Sequence, residues 1–160
     1  MASTNYLTRV LWKEHTANQT TFAGAYKLLM PAKTVPTPLQ APSTVETTTL
    51  EDGAQTFLPG IKQSGSKEYV GNLDNAVVTT VEEMGGDVDI LVLYGSDGLG
   101  SHGIYAYTSA QPIATPNETS GPDGVLEMTV TCVPKTVPEH VDGTVTYNST
   151  SGEYTLAITT

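Results

Sequence analysis

Residues 87–109, DVDILVLYGSDGLGSHGIYAYTS, decide the fold. The spacing predicts a strand over Asp87–Tyr94, with Asp87 and Asp89 sharing a face with Leu91 and Leu93. That face is expected to pass from wet to buried along its length, because successive side chains alternate across a pleated backbone. Gly95–Ser101 is a glycine-rich turn. His102–Ser109 then returns antiparallel, with Tyr105 and Tyr107 on one face and Ile104 and Ala106 on the other. Strand, short glycine turn and returning strand make the repeating unit of an antiparallel sheet.

The flanking chain repeats this pattern. On the C-terminal side, Gln111–Gly124 is a polar loop. Val125–Val133 is a strand with Leu126, Met128, Val130 and Cys132 toward the core and Glu127, Thr129 and Thr131 outward. Residues 143–159, GTVTYNSTSGEYTLAIT, read as a hairpin around a Ser/Thr/Gly turn. On the N-terminal side, Leu73–Met84 is the one helix. Leu73, Val77, Val81 and Met84 recur at helical spacing, Asp74 caps the start, and Gly85-Gly86 ends it. Its β-branched run, Val77–Val81, forms helix poorly, so this helix needs packing against a sheet. Ser66–Leu73 is a strand with Gly71 as its bulge, and Ala25–Met30 is another. Tyr6–Lys13 is apolar on both faces, which calls for cover on both sides. Pro31–Ser43 carries prolines at 31, 36, 38 and 42, so it is expected to be extended and without regular pairing. The sum is a mainly β domain spanning residues 1–160: a β-sandwich or open barrel of about 7–9 antiparallel strands and one helix, preceded by a short polar arm at 1–5.

Composition narrows the function classes. Of the ionisable residues up to Lys67, six are basic and four acidic; beyond it, Lys135 alone stands against thirteen acidic residues, for a net charge of −10. A surface of this sign does not hold nucleic acid by neutralising phosphates. The single cysteine, Cys132, lies in an apolar strand and reads as a buried structural thiol. No signal-peptide pattern opens the chain and no apolar run reaches membrane-spanning length, so synthesis in a reducing cytosol is expected. Sequons at Asn18, Asn117 and Asn148 are matches by chance in a threonine-rich chain.

Catalytic and metal chemistry finds no pattern to rest on. His15, His102 and His140 are scattered, without ligands at zinc spacing. GSDGLGSHG, residues 95–103, lacks both the Gly-Lys-Ser/Thr ending of a phosphate loop and a Gly-x-Ser-x-Gly elbow. Glu82 and Glu83 are adjacent on a helix and point apart. No catalytic residue, metal or cofactor is expected.

Residues 44–62, TVETTTLEDGAQTFLPGIK, carry the family signal and are expected to be the element around which the chain is organised. Val45, Thr47 and Thr49 alternate with Glu46, Thr48 and Leu50; Glu51-Asp52-Gly53 turns; Phe57-Leu58-Pro59-Gly60-Ile61-Lys62 forms an apolar clamp. This segment resembles the signature of the major tail tube proteins of long-tailed, siphovirus-type bacteriophages: an acidic-Thr-Thr-Leu strand, a polar turn, an apolar pair, then Pro-Gly-hydrophobic-Lys. The resemblance implies hexameric rings whose sheets join into one inner barrel, stacked into the conduit through which genomic DNA is ejected. It implies a virion location after assembly in the host cytoplasm, with tape-measure, tail-tip or baseplate, and terminator proteins as partners. DNA would pass without sequence-specific binding, and no membrane is engaged. It also implies that the long loop at 31–43 reaches neighbouring subunits.

Under this resemblance, the outward residues Glu68, Glu127, Thr129 and Thr131 are lumen-lining candidates, giving a bore that repels DNA over about 10 Å at 0.1 M salt. Arg9, Trp12, Lys33, Val35 and Lys62 are candidates for contacts between subunits or rings. Two other readings fit the chain: a monomeric β-sandwich module for carbohydrate binding or adhesion, with Trp12 and the tyrosines as platform, and the tube protein of a contractile injection system.

Overall fold

The computed structural model describes residues 6–39, 44–51, 53–60 and 65–158. In chain order these form β1 (Arg9–Glu14), β2 (Gly24–Met30), β3 (Ala32–Thr34), β4 (Thr44–Glu46), β5 (Phe57–Pro59), β6 (Lys67–Asn72), α1 (Asn75–Glu82), β7 (Val88–Tyr94), β8 (Gly103–Ser109), β9 (Ile113–Pro116), β10 (Glu127–Cys132), β11 (Glu139–His140), β12 (Gly143–Asn148) and β13 (Glu153–Ile158). Eight of the strands have six or seven residues. Seven strands make one antiparallel sheet in the order β11-β8-β7-β1-β2-β13-β12; β3-β6-β10-β9 make a second, and β4-β5 stand as a pair. The chain is mainly β, with one helix among the described residues, as the alternation and turn residues dictate.

β7 lies inside the large sheet, between β8 and β1, and is buried on both faces. Val88, Ile90 and Val92 join Val10, Leu29, Met30 and Tyr107 of the same sheet with Tyr69, Met128, Val130 and Cys132 of the second sheet. This layer between two sheets is the sandwich core. Leu91 and Leu93 join Leu11, Tyr26, Ile104 and Ala106 with Val145, Tyr154 and Leu156. Strands from opposite ends of the large sheet thus share one cluster, so the sheet curls around it as an open barrel. β1 supplies both cores, Val10 to one and Leu11 to the other, as its two apolar faces require.

The helix forms where its stripe predicts. The Asp74 carboxylate accepts from the Ala76 amide at 2.9 Å, and Val81 and Met84 are buried in the sandwich core beside Leu73, Val77 and Val78. Packing compensates the poor propensity of Val77–Val81.

Several expectations are corrected. The first strand begins at Arg9, because Leu7 takes φ 63° and Tyr6-Leu7 turn. Pro31–Ser43 is not wholly unpaired, since Ala32–Thr34 pairs with β6. The bulge falls on β3, between Ala32 and Thr34, and not on Gly71. Gly71 is glycine for a different reason: a Cβ there would lie 2.6 Å from the Pro31 carbonyl oxygen and 2.7 Å from Met30 Cε. The polar loop at 111–124 contains β9, which extends the second sheet. Leu126 is 58% exposed, because the inward alternation begins only at Met128. The face of Asp87, Asp89, Leu91 and Leu93 passes from wet to buried as expected: the Asp87 side chain is 36% exposed and Asp89 is already fully buried. The described strands of the expected organising segment, β4 and β5, do not enter either core: both are exposed throughout, and Asp52, Ile61 and Lys62 lie outside the described residues.

Candidate functional site

Four places carry polar or apolar groups beyond ordinary packing. The first is the hairpin. Thr44 pairs with Pro59, Val45 with Leu58 and Glu46 with Phe57, and the ladder continues through the Thr47 amide to the Thr56 carbonyl at 2.8 Å. Threonine hydroxyls tie its strands further, with Thr47 and Thr56 Oγ1 atoms 2.8 Å apart and the Thr56 amide donating to Thr48 Oγ1 at 2.8 Å. Directly opposed residues share a face, so Val45 and Leu58 project together, and Glu46 and Phe57 project from the other side. Val45, Phe57 and Leu58 are 53–57% exposed, and Leu50 near the tip is fully exposed. A two-stranded ribbon standing by itself is marginal in water.

The second place is a groove of about 510 Å³, lined by Val35, Pro36, Thr37, Pro38, Leu39, Tyr94, His102 and Tyr105. A smaller hollow of about 140 Å³ adjoins it through Val35 and Tyr94 and reaches Thr8, Ala32 and Lys33. Edge-on ring contacts hold its wall: Tyr94 meets Tyr105 at 5.9 Å, and His140 meets Tyr105 at 5.4 Å. The prolines pre-set an extended backbone on the opposite side. Lys67, 2% exposed, anchors that side by donating from Nζ to the Thr37 carbonyl at 2.8 Å, and burial pushes its ammonium below the usual lysine range.

The third is the outer face of the second sheet. Glu68 lies opposite Thr131, Thr129 opposite Val70 and Glu127 opposite Asn72. The four lumen-lining candidates therefore share one sheet face. That face is not uniformly acidic: Lys33 Nζ is 3.3 Å from Glu127 Oε2. Thr129 Oγ1 donates to Asn117 Oδ1.

The fourth is a buried polar network at the end of the curled sheet. Asp89 Oδ2 accepts from Gln19 Nε2 at 2.6 Å and lies 2.9 Å from Lys13 Nζ. Oδ1 accepts from His15 Nδ1 at 2.9 Å and from Thr108 Oγ1 at 3.0 Å. Burial pushes the carboxyl up, but the bonds from Lys13, Gln19 and His15, with the Lys13 charge, outweigh it and hold Asp89 below the usual carboxylate range. An ionised carboxylate saturated by donors anchors β1, β7, β8 and the 15–23 loop to one another. It has no lone pair directed at a substrate.

The inter-subunit candidates separate. Lys33 and Val35 line the groove and its adjoining hollow. Arg9 is engaged within the chain, donating from Nη1 to the Gly98 carbonyl at 3.2 Å with its guanidinium 5.3 Å from the Tyr154 ring centre. Trp12 packs its partly buried ring against the sandwich core. Lys62 lies outside the described residues. Three of the tyrosines are unavailable for a platform beside Trp12, since Tyr26, Tyr69 and Tyr107 are fully buried and the Tyr69 and Tyr107 hydroxyls bond each other at 2.5 Å. Burial pushes the Cys132 thiol up to about 12, against opposing bonds with Ser109 and Tyr107, which makes it a poor nucleophile.

Sequence reasoning missed the groove and the Asp89 network. The groove joins residues 35–39 to 94–105, and no spacing in the chain announces that meeting. For Asp89, an aspartate within an apolar run was a usable signal, since a charge on a buried face needs partners. Among the described residues no cluster of three or more His, Cys, Asp or Glu side chains is placed to hold a metal ion, and no helix is long and apolar enough to cross a membrane. No protein-family model matches the chain, and no curated protein matches it.

Proposed function

We propose that this chain is a structural subunit of a bacteriophage tail tube, forming hexameric rings that stack into the conduit for genomic DNA. The observation that carries the reading is the β4-β5 hairpin, which holds its apolar side chains out of the parent fold. Segment 44–62, where the family resemblance lies, is thus also the segment that most needs a neighbour. The short strands β3 and β9 at the edges of the second sheet add a second support, because unpaired edges template strand addition from another chain. Pairing β3 of one subunit with β9 of the next would join second sheets around a ring, with Glu68, Glu127, Thr129 and Thr131 facing a common bore. A bore of threonines and carboxylates releases few counterions on contact with DNA and lets it slide. The reading makes the protein act by assembly and not by catalysis, in a virion tail, with tape-measure, tip and terminator proteins at the ends of the tube.

Negative-stain electron microscopy with sedimentation, on protein at high concentration, tests the proposal. Six-fold rings or tubes are the expected result. A monomer that persists at high concentration and binds a glycan array would replace the tube reading with that of a carbohydrate-binding module.

A further inference from the structure

Two surfaces of this chain are open at once and fit each other in chemistry. The hairpin presents Val45 and Leu58 from one face, and its described residues carry Glu46 and Glu51 with no cation. The groove and its adjoining hollow present Val35, Pro36, Pro38, Leu39, Tyr94 and Tyr105, with Lys33 and no carboxylate in the lining. Within one chain the two are separate: no described hairpin residue lines the groove or the hollow, and Val45 and Leu58 are more than half exposed.

We infer that the Val35–Leu39/Tyr94/Tyr105 groove is the receptor for the β4-β5 hairpin of a second copy of this chain. The inference rests on the reading that the chain assembles with itself, and it names the surfaces that do so. Val45 and Leu58 enter between the proline wall and the tyrosine wall, where aromatic rings and prolines offer broad apolar contact at little cost in side-chain entropy. Glu51, in the turn between the strands, then approaches the Lys33 end of the groove, while Glu46 stays on the solvent face with Phe57. The Lys33–Glu127 pair does not oppose this, since both side chains are exposed and such a pair contributes little. Hairpin and groove are different patches, so the contact is head-to-tail: each copy that donates its hairpin leaves its own groove free. Such a contact propagates, closing into a ring or continuing as a filament according to the rotation between copies. Lys67 gains a role here, as its bond to the Thr37 carbonyl holds the proline wall at its distance from Tyr94.

Disulfide trapping between two singly substituted chains tests the pairing. Leu58→Cys and His102→Cys place thiols on the hairpin face and on the groove lining, while Cys132 is fully buried and does not compete. Mixed under mild oxidant, the two variants are expected to give a covalent dimer that reductant removes and that neither variant gives alone. Val45→Cys with Leu39→Cys reads the same contact through neighbouring side chains. Rings or tubes by microscopy with no trapped dimer from either pair would overturn the docking while leaving the tube reading in place. A trapped dimer without rings would support the docking and remove the tube reading. A persistent monomer with no trapped dimer would overturn both.

Discussion

Asp89 shows how one residue is made safe in a core. A bare carboxylate is costly to bury, and four donors from four different positions along the chain make it tolerable. Its folded carboxyl binds a proton less readily than the unfolded one, so the unfolded state takes up more protons in acid. Stability from this group is therefore complete above the ordinary carboxylate range and is lost as pH falls through the lower folded value. Asp89→Ala is expected to reduce stability in urea unfolding at neutral pH by about 1–3 kcal/mol, the cost of leaving buried and partly buried donors such as Thr108 Oγ1 and Lys13 Nζ without their acceptor. The same variant should lose less additional stability than wild type between neutral and strongly acid pH. An unchanged acid dependence would remove Asp89 as the responsible group.

At the scale of elements, β6 and the chain beside it are held by a close approach that only glycine permits. Gly71 faces the Pro31 carbonyl where β2 passes into β3, and its neighbour Tyr69 reaches across the core to Tyr107. Gly71→Ala would force the Pro31 backbone away and disturb the register of β3, at about 1–3 kcal/mol by analogy with overpacked cores. A lowered midpoint in thermal unfolding, with far-UV circular dichroism unchanged at low temperature, is the expected outcome. An unchanged midpoint would mean that the second sheet yields at this edge. The β4-β5 hairpin is the opposite kind of element, tied by threonine hydroxyls along its own length, with Val45, Phe57 and Leu58 left more than half exposed.

The whole molecule carries a net charge of −10, so any assembly of identical copies begins against electrostatic repulsion. Screening shortens that repulsion from about 30 Å at 0.01 M salt to about 3 Å at 1 M, while apolar contacts such as hairpin in groove keep their strength. Sedimentation should therefore find more self-association as salt rises across that range. Dissociation by salt would instead place the assembly on ion pairs, with Lys33 the first residue to substitute.

The sequence by itself determined the mainly β class, the helix with its Asp74 cap, the inward alternation of Met128, Val130 and Cys132, and the C-terminal hairpin. Each of these is local: strand alternation, helical period and turn chemistry act over a few residues and survive translation into three dimensions. Tertiary structure alone decided the rest. It left β4 and β5, within the expected organising centre, exposed, because nothing in a β-prone stretch says whether its apolar faces will find a core. It buried Asp89 by bringing Lys13, His15, Gln19 and Thr108 to one carboxylate. It made Ala32–Thr34 and Ile113–Pro116 into strands, since an edge strand is defined by the neighbour it meets. The groove between the prolines and Tyr94, and any fit of the hairpin into it, arise from contacts distant in sequence, and only the packed chain specifies those.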